Sequence, residues 1–363
     1  MAGKIRVSQL LIAFMIIVFV GLPYFLEFEN LSVQNLQSMI SNSSTSSLRC
    51  NDSIKLANFL TEGELKELRS IFARASMPNK TVIITTLNEA WAAEGTMIDL
   101  FLLSFRRGEN ITHLLNHVVI VTLDQKAHER CVHLHPHCFR LRTDGVDYSA
   151  EKKFMTEDYL KMMWRRIEFL AGVLEMGYSF VFSDADILWF RDPFAIFSDD
   201  KDFQIACDKY SGGSSDVMTN APNGGFVYVR SSKQTIAMYR YWYAARLRVP
   251  GKHDQDVLGI VLREQCFERL GVKIRFLETL YFSGFCQVSK DIKQVVTMHA
   301  NCCKGGLINK LTDLQLALDD WRVHNGLKPF TRDERPRIVE NWRVPFSCRR
   351  PKRSWWRLFS RNL

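Results

Sequence analysis

The chain has 363 residues, 47% of them apolar and 24% charged. That composition excludes a disordered chain and is enough for one large core or two ordinary domains. The net charge of +9 is concentrated at one end: the last 33 residues hold ten Lys/Arg against three Asp/Glu, or +7. The body is therefore close to neutral, and no nucleic-acid partner is expected, since that needs basic residues spread over a face with aromatic platforms.

In chain order, residues 1–9 read as a short cytoplasmic tail and 10–26 as a transmembrane signal-anchor. LLIAFMIIVFVGLPYFL, from Leu10 to Leu26, carries no charge. As a helix it would be about 26 Å long, near the thickness of a hydrocarbon core. Lys4 and Arg6 precede it and Glu27 and Glu29 follow it, which places the bulk of a single-pass type II chain in the lumen. A cleaved signal peptide is the alternative, but Phe19 before Gly21 suits its small-residue cleavage site poorly. Residues 27–75 read as a luminal stem, because ISNSSTSSLRCNDS is rich in Ser and Asn and poor in packing residues. Asn30, Asn42, Asn51, Asn79 and Asn110 head N-x-S/T sequons. In an oxidising lumen the nine cysteines should form disulfides and leave at least one thiol over. Cys50, in the stem, is the candidate for a bond between chains.

The body is assigned to residues 76–330. TVIITTL (81–87) is a β-branched run of the kind buried on both faces of a sheet. Asn88 should cap an apolar helical stretch reaching Phe105. HVVIVTLD (117–124) reads as a second buried strand. Helical spacing then runs from Ser149 to Met176, and Gly177 should end it. Phe180 to Ser183 is a third strand, NGGFVYVRS (223–231) a fourth and VVTMHANCC (295–303) a fifth. Lys233 to Leu247, Asp256 to Leu270 and Leu307 to His324 read as helices. Strands alternating with helices imply an α/β fold with a Rossmann-like, mostly parallel sheet flanked by helices. Ligands of such sheets gather at the carboxyl ends of the strands.

Asp184 and Asp186 lie at such an end, in FVFSDADILWFRDPF (180–194). An EF-hand counted from Asp184 would need glycine at Trp189 and glutamate at Ala195, so that reading fails. No G-x-x-x-x-G-K-[ST] and no G-x-G-x-x-G occurs, so phosphate loops are absent. Two solvated strand-end aspartates remain an alternative. The other is a divalent ion: two carboxylates two residues apart can face one hard cation, which fills its remaining sites with phosphate oxygens and neutralises a departing diphosphate. The aromatic run that follows would be core beneath the site.

Further stretches fit a site. PNGGF (222–226) gives a glycine pair for close backbone approach or a turn. HDQD (253–256) holds more polar groups than a helix cap needs, since Asp254 alone would suffice. His299, after an apolar run, is a candidate third ligand or a structural histidine. In HERCVHLHPHC (128–138), Cys131, His133, His135, His137 and Cys138 suit zinc or, more simply in a lumen, a Cys131–Cys138 disulfide. Cys302 and Cys303 should each pair elsewhere, with Cys286 or Cys207 as candidates. Residues 331–363 read as a basic C-terminal tail whose PKRSWWRLFSRNL lies on a membrane, binds acidic glycans or is solvated.

Together SDADILWFRDPF, NGGFVYVRS, PGKHDQDVLG, FLETLYFSGFC and TMHANCC, in this order over roughly residues 79–325, resemble the plant nucleotide-diphospho-sugar transferase family, glycosyltransferase family 77, in its less characterised branch. The resemblance implies a GT-A fold whose Asp-x-Asp holds Mn²⁺ (or Mg²⁺) against the diphosphate of a UDP-sugar. It makes Asp184, Asp186 and His299 the metal set. Thr85, Thr86 and Asn88 would lie near the nucleotide, and Asn223, Gly224 and Gly225 would line the sugar pocket. Gln255 and Asp256 would stand beside the anomeric carbon, with Asp254 also in the catalytic segment. Arg165 would reach the donor from its helix, Arg166 being as suitable. The implied activity is a metal-dependent, retaining transfer of a pentose to a cell-wall glycan or glycoprotein. The retaining route, by covalent intermediate or same-face attack, stays open. The implied place is the Golgi membrane, as a homodimer or in a complex with other transferases. The alternatives are a non-catalytic glycan-binding or scaffold member of the same fold and a metal-dependent hydrolase.

Overall fold

The computed structural model describes residues 50, 54, 60–143, 149, 155–326 and 341–349. All of these belong to one unit, Cys50–Leu363. The expected cytoplasmic tail and membrane segment lie outside the described residues, as does most of the stem. No helix among the described residues is long and apolar enough to cross a membrane.

The body begins before residue 76. Helix α1 (Glu62–Ala75) is capped by Thr61, whose hydroxyl accepts from Glu64 N–H while the Glu64 carboxylate receives Thr61 N–H. Leu68, Ile71, Phe72 and Ala75 are buried along one face, so this segment is part of the core and not of a stem. Strand β1 (Thr81–Leu87) follows. Two helices replace the single one expected: α2 (Glu89–Ala92), capped by Asn88, and α3 (Met97–Arg107). Gly95, at φ 74°, breaks them apart. Then come β2 (Val118–Thr122), α4 (Gln125–Leu134), the short β3 (Cys138–Arg140) and α5 (Glu157–Glu175). Gly177, at φ 82°, ends α5 as expected; its own N–H and that of Tyr178 return to Leu174 and Val173.

The chain next forms β4 (Ser179–Ser183), β5 (Ile187–Trp189), β6 (Phe203–Lys209) and β7 (Ala221–Val229). Helices α6 (Lys233–Ala245), α7 (Asp254–Arg263) and α8 (Cys266–Arg269) follow. The last elements are β8 (Ile274–Phe276), β9 (Phe282–Gly284), β10 (Thr297–His299) and α9 (Leu307–His324). The fifth expected strand thus shrinks to three residues.

The main sheet has the order β3-β2-β1-β4-β7-β6-β8, and β7 alone runs against the rest. The α/β class and the mostly parallel sheet are as expected. β1 and β2 are buried almost throughout, as their β-branched runs require. The order matters for the site. The chain winds outward from β1 to β2 and β3, then returns to place β4 on the other side of β1. The order in which strands are added therefore reverses between the parallel neighbours β1 and β4, and in open α/β sheets the carboxyl ends of the strands at such a switch point are where the ligand crevice lies. A second, three-stranded sheet, β5-β10-β9, stands beside the first. One apolar cluster spans both, with Phe105 stacked on Trp189 and Phe190 stacked on Trp321. The aromatic run after Asp186 is indeed core, and it is also strand β5.

Four disulfides brace this unit: Cys50–Cys266, Cys131–Cys138, Cys286–Cys302 and Cys303–Cys348. Cys131–Cys138 is as expected and removes the zinc alternative, since its sulfurs bind each other. Cys302 pairs with Cys286, one of its two candidates. Cys50, expected to bond another chain, is taken up by Cys266. Cys207 stays a free, buried thiol, pushed up to about 12 by burial. The Cys303–Cys348 bond also corrects the boundary at residue 331. Within 341–349, Phe346, Ser347 and Cys348 donate backbone N–H groups to the buried Asp313 of α9. Trp342 stacks on Phe190, so this part of the tail is structural.

Candidate active site

The two aspartates sit on the passage between the sheets. Ser183 ends β4 opposite Phe226 of β7, and the ladder runs one step further: Asp184 N–H donates to Gly225 O at 2.7 Å. After Ala185 and Asp186 the chain enters β5, where Ile187 pairs with His299 of β10. Ala300 N–H donates to Asp186 O at 3.1 Å. Two sheets thereby deliver Asp184, Asp186 and His299 to one point. One ligand atom from each lies within 4.8 Å of the others.

Gly225 makes that approach possible. A Cβ there would stand 2.6 Å from Asp184 Oδ2 and 2.6 Å from His299 Cε1, too close for any side chain. At Gly224 the same atom would meet Arg166 Nη2 and Asp254 Oδ2 at 3.7 Å, an ordinary contact. Of the glycine pair, only the second is demanded by close packing at the site.

Arg166, on α5, is the buried cation of the cluster. Its Nη1 donates to Asp184 Oδ1 at 3.1 Å and its Nη2 to Asp254 Oδ2 at 2.6 Å, while its guanidinium lies 4.8 Å over the Phe182 ring. Arg165, the residue expected to reach the donor, turns the other way. It donates to Glu168 at 2.7 Å and to Arg142 O at 2.9 Å. Adjacent helical residues point about 100° apart, so only one of the pair can face the aspartates.

HDQD is divided between tasks. His253, not Asp254, caps α7, accepting Gln255 N–H at 3.1 Å. Asp254 points inward to Arg166. Gln255 bridges two strands of the main sheet: Oε1 accepts Gly224 N–H of β7 at 3.0 Å and Nε2 donates to Asp208 Oδ2 of β6 at 3.0 Å. Asp256 is exposed, 3.6 Å from His253 Nε2. It lies about 200° round the helix from Asp254. Thr85 is fully buried in β1, with no partner for its hydroxyl, whereas Thr86 is partly exposed at the strand end. Asn88 spends Oδ1 on Trp91 N–H at 3.2 Å.

Three further residues belong to the cluster and carried little signal. Asp208, at the end of β6, accepts from Asn223 Nδ2 at 2.8 Å and Asn301 Nδ2 at 2.8 Å as well as from Gln255. It falls inside the last residues of β6, whereas Asp184 comes just after β4, and its place at the end of an apolar run is the small cue its sequence offers. Asn301 lies within TMHANCC. Lys310, on α9, donates to Asp186 Oδ2 at 2.6 Å and stands 5.2 Å from the Trp91 ring; nothing in its local sequence marks it.

The electrostatics are those of a packed charge cluster. Burial raises the Asp184 carboxyl, and the Asp186 charge adds to this against the pull of Arg166. Burial would raise Asp186 too, but Lys310 and His299 outweigh it and hold the carboxyl low. Burial would lower His299, and Asp186 reverses that, keeping the imidazole above its usual range. Burial works against the Asp254 carboxylate and is overcome by Arg166, which stays charged for the same reason.

These residues fit a small divalent ion. Asp186 Oδ1 is buried and has no hydrogen-bond partner, although His299 Nε2 stands 3.3 Å away. An orphaned carboxylate oxygen beside a second carboxylate and an imidazole is a donor set for a borderline or hard cation. A second group, Asp208 with Cys286 and Cys302, does not fit, because the two sulfurs are joined.

The profile of the family described as nucleotide-diphospho-sugar transferase matches residues 113–314, which include the three ligand candidates. Two Arabidopsis thaliana proteins are similar along most of their length. Uncharacterized protein At4g15970 is 46% identical over 295 residues, 81% of this chain and 76% of its own. Uncharacterized protein At1g28695 is 38% identical over 301 residues, 81% of this chain and 86% of its own. Two solved structures are similar at 10% and 12% identity. One is a glycosyltransferase involved in glycosylation of the major capsid of PBCV-1, with a TM-score of 0.36 over 64% of this chain and 98% of that one. The other is mouse xyloside xylosyltransferase 1 in its apo form, with a TM-score of 0.38 over 61% and 98%. The sequence matches, covering more than half of the chain, carry the conclusion that it belongs to the nucleotide-diphospho-sugar transferase family, and with that membership comes support for a role in glycosyl transfer.

Proposed function

We propose that the chain is a metal-dependent glycosyltransferase of GT-A type that moves a sugar from a UDP-sugar to a glycan or glycoprotein acceptor. The observation that carries this is the convergence of Asp184, Asp186 and His299 at the strand-end crevice, with an orphaned carboxylate oxygen among them. Asp184, Asp186 and His299 would hold the ion, Mn²⁺ before Mg²⁺ given the imidazole. When bound, such an ion neutralises charge that develops on a diphosphate leaving group.

The chain's own residues supply the rest. Arg166 is a buried, permanently charged group beside the aspartates, and it keeps the crevice from being a purely anionic site that would repel a nucleotide. Gln255 is held by Gly224 and Asp208, so its amide has one orientation and can present a fixed dipole to a sugar carbon that gains positive charge. Asp208 fixes Asn223 and Asn301 similarly. A donor side organised before substrate arrives is what lowers reorganisation cost.

Retention of configuration, a pentose as the transferred sugar and a cell-wall acceptor are further parts of this reading, supported by the family resemblance. A Golgi type II placement is supported by the charge-free segment 10–26 and by four disulfides, which persist in secretory compartments. The test offers the full-length protein a panel of UDP-sugars with Mn²⁺ and follows UDP release, with EDTA as control. Release with one donor, abolished by EDTA and by Asp184→Asn, is the expected result. A folded protein that neither binds UDP with Mn²⁺ nor releases it from any donor would overturn the reading and favour a non-catalytic role.

A further inference from the structure

Each aspartate of the trio has one oxygen engaged by a cationic side chain and the other turned toward His299. On Asp184, Oδ1 receives Arg166 Nη1 at 3.1 Å, and Oδ2 lies 3.9 Å from His299 Nε2. On Asp186, Oδ2 receives Lys310 Nζ at 2.6 Å, and Oδ1 lies 3.3 Å from His299 Nε2. The arrangement is a pair of braces from two helices, α5 and α9, acting on carboxylates from one loop. Both braces are largely buried, with side-chain exposures of 8% for Arg166 and 22% for Lys310.

From this we infer that Lys310 is a positioning residue that sets which metal the site accepts. The inference rests on the proposed metal-dependent reading and deepens it. A carboxylate whose second oxygen is hydrogen-bonded to an ammonium group offers an ion one oxygen, not two. Ca²⁺ takes six to eight oxygens at longer range and uses bidentate carboxylates readily; Mg²⁺ and Mn²⁺ accept single oxygens in tight octahedral geometry. With Asp184 held by Arg166 and Asp186 by Lys310, the protein offers two single oxygens and one imidazole nitrogen. That set suits the smaller ions and leaves their remaining positions to the donor and water. Partners one shell out from the ligands are known to tune metal sites in this way.

A simple charge effect makes a different prediction, so the two can be separated. Removing a positive charge beside the site would tighten binding of every divalent ion alike. Removing a brace would favour the ion that gains from a second oxygen. The experiment measures Kd for Mn²⁺ and for Ca²⁺ in the full-length protein, by calorimetry and by the electron paramagnetic resonance signal of free Mn²⁺. It compares the unaltered chain, Lys310→Met and Lys310→Gln. The expected result is a preference for Mn²⁺ over Ca²⁺ in the unaltered chain that falls at least tenfold in Lys310→Met. Lys310→Gln, which still donates one hydrogen bond to Asp186 without a charge, should keep most of the preference. If Lys310→Met fails to fold, a Lys310→Arg chain that retains the unaltered preference and a Lys310→Ala chain that loses it serve the same purpose. A ratio of the two Kd values unchanged in Lys310→Met or Lys310→Ala, which lose the hydrogen bond, would overturn the inference whatever happens to each Kd, while leaving the metal reading intact. Absence of Mn²⁺ binding in the unaltered chain and in every variant would instead overturn the metal reading itself.

Discussion

Arg166 Nη2 and Asp254 Oδ2 stand 2.6 Å apart in the interior, joining α5 to the first turn of α7. Both side chains are nearly inaccessible to water. A buried pair like this adds little over an apolar replacement of both partners, but removing one strands the other. Asp254→Ala and Arg166→Met should each cost about 3–5 kcal/mol, read as a lowered urea midpoint. Arg166→Lys should also destabilise, because one ammonium group cannot reach Asp184 and Asp254 as the guanidinium fork does.

The same pair sets an acid limit. Arg166 holds the Asp254 carboxyl below its ordinary value. A group whose folded pKa is lowered contributes stability above its unfolded pKa, about 4, and loses it as pH falls through the folded value. The gap in melting temperature between the unaltered chain and Asp254→Asn should therefore be full at pH 7 and shrink below about pH 4. A gap that stays constant down to pH 3 would contradict this.

Gly225 and Gly224 give a paired test of the crevice. Gly225→Ala places a methyl group 2.6 Å from Asp184 Oδ2, so one of the ligand candidates must move. Mn²⁺ affinity should fall by tenfold or more, whereas Gly224→Ala should bind as the unaltered chain does. Titration of both variants with Mn²⁺ reads the difference directly.

Asp208 orients three amides, those of Asn223, Gln255 and Asn301. Asp208→Asn offers one acceptor where there were two. The Gln255 amide then loses its fixed orientation, and misplacement on the scale of 1 Å costs about 10²-fold in rate. UDP release should fall by about that factor while Mn²⁺ affinity holds. Equal losses in both would mean that Asp208 supports the fold and not the orientation.

Thiol accounting tests the covalent frame. Eight of the nine cysteines are paired and Cys207 is buried. The native protein should show no reactive thiol, and the denatured, unreduced protein should show one. Replacing Cys303 or Cys348 should cost about 2–5 kcal/mol, the usual effect of losing a native disulfide.

Long, uniformly apolar stretches were legible from sequence, and so were helices with strong punctuation. TVIITTL is β1 end to end, Leu307–His324 is α9 end to end, and Gly177 stops α5. What escaped was decided by tertiary context. Strands β3, β5, β8 and β9 have three residues each, too few for a period to show. Helix α1 hid in a polar segment because only one face is buried. At the site, Asp184, Asp186 and His299 could be grouped on chemistry, but the choice between Arg165 and Arg166 depended on helix rotation that spacing leaves open. Lys310 lies 124 residues from Asp186, and only the folded chain brings them together.

The passage Asp184–Ala185–Asp186 joins two ladders whose registers are already fixed, at Ser183 against Phe226 and at Ile187 against His299. One residue more or fewer there would turn the following strand over, exchanging its inner and outer faces. Natural insertions and deletions should therefore be tolerated in exposed stretches such as residues 211–219 and rejected in this one. The length of the passage is under as much constraint as its carboxylates, and a fused tag or a permuted chain end has no place within it.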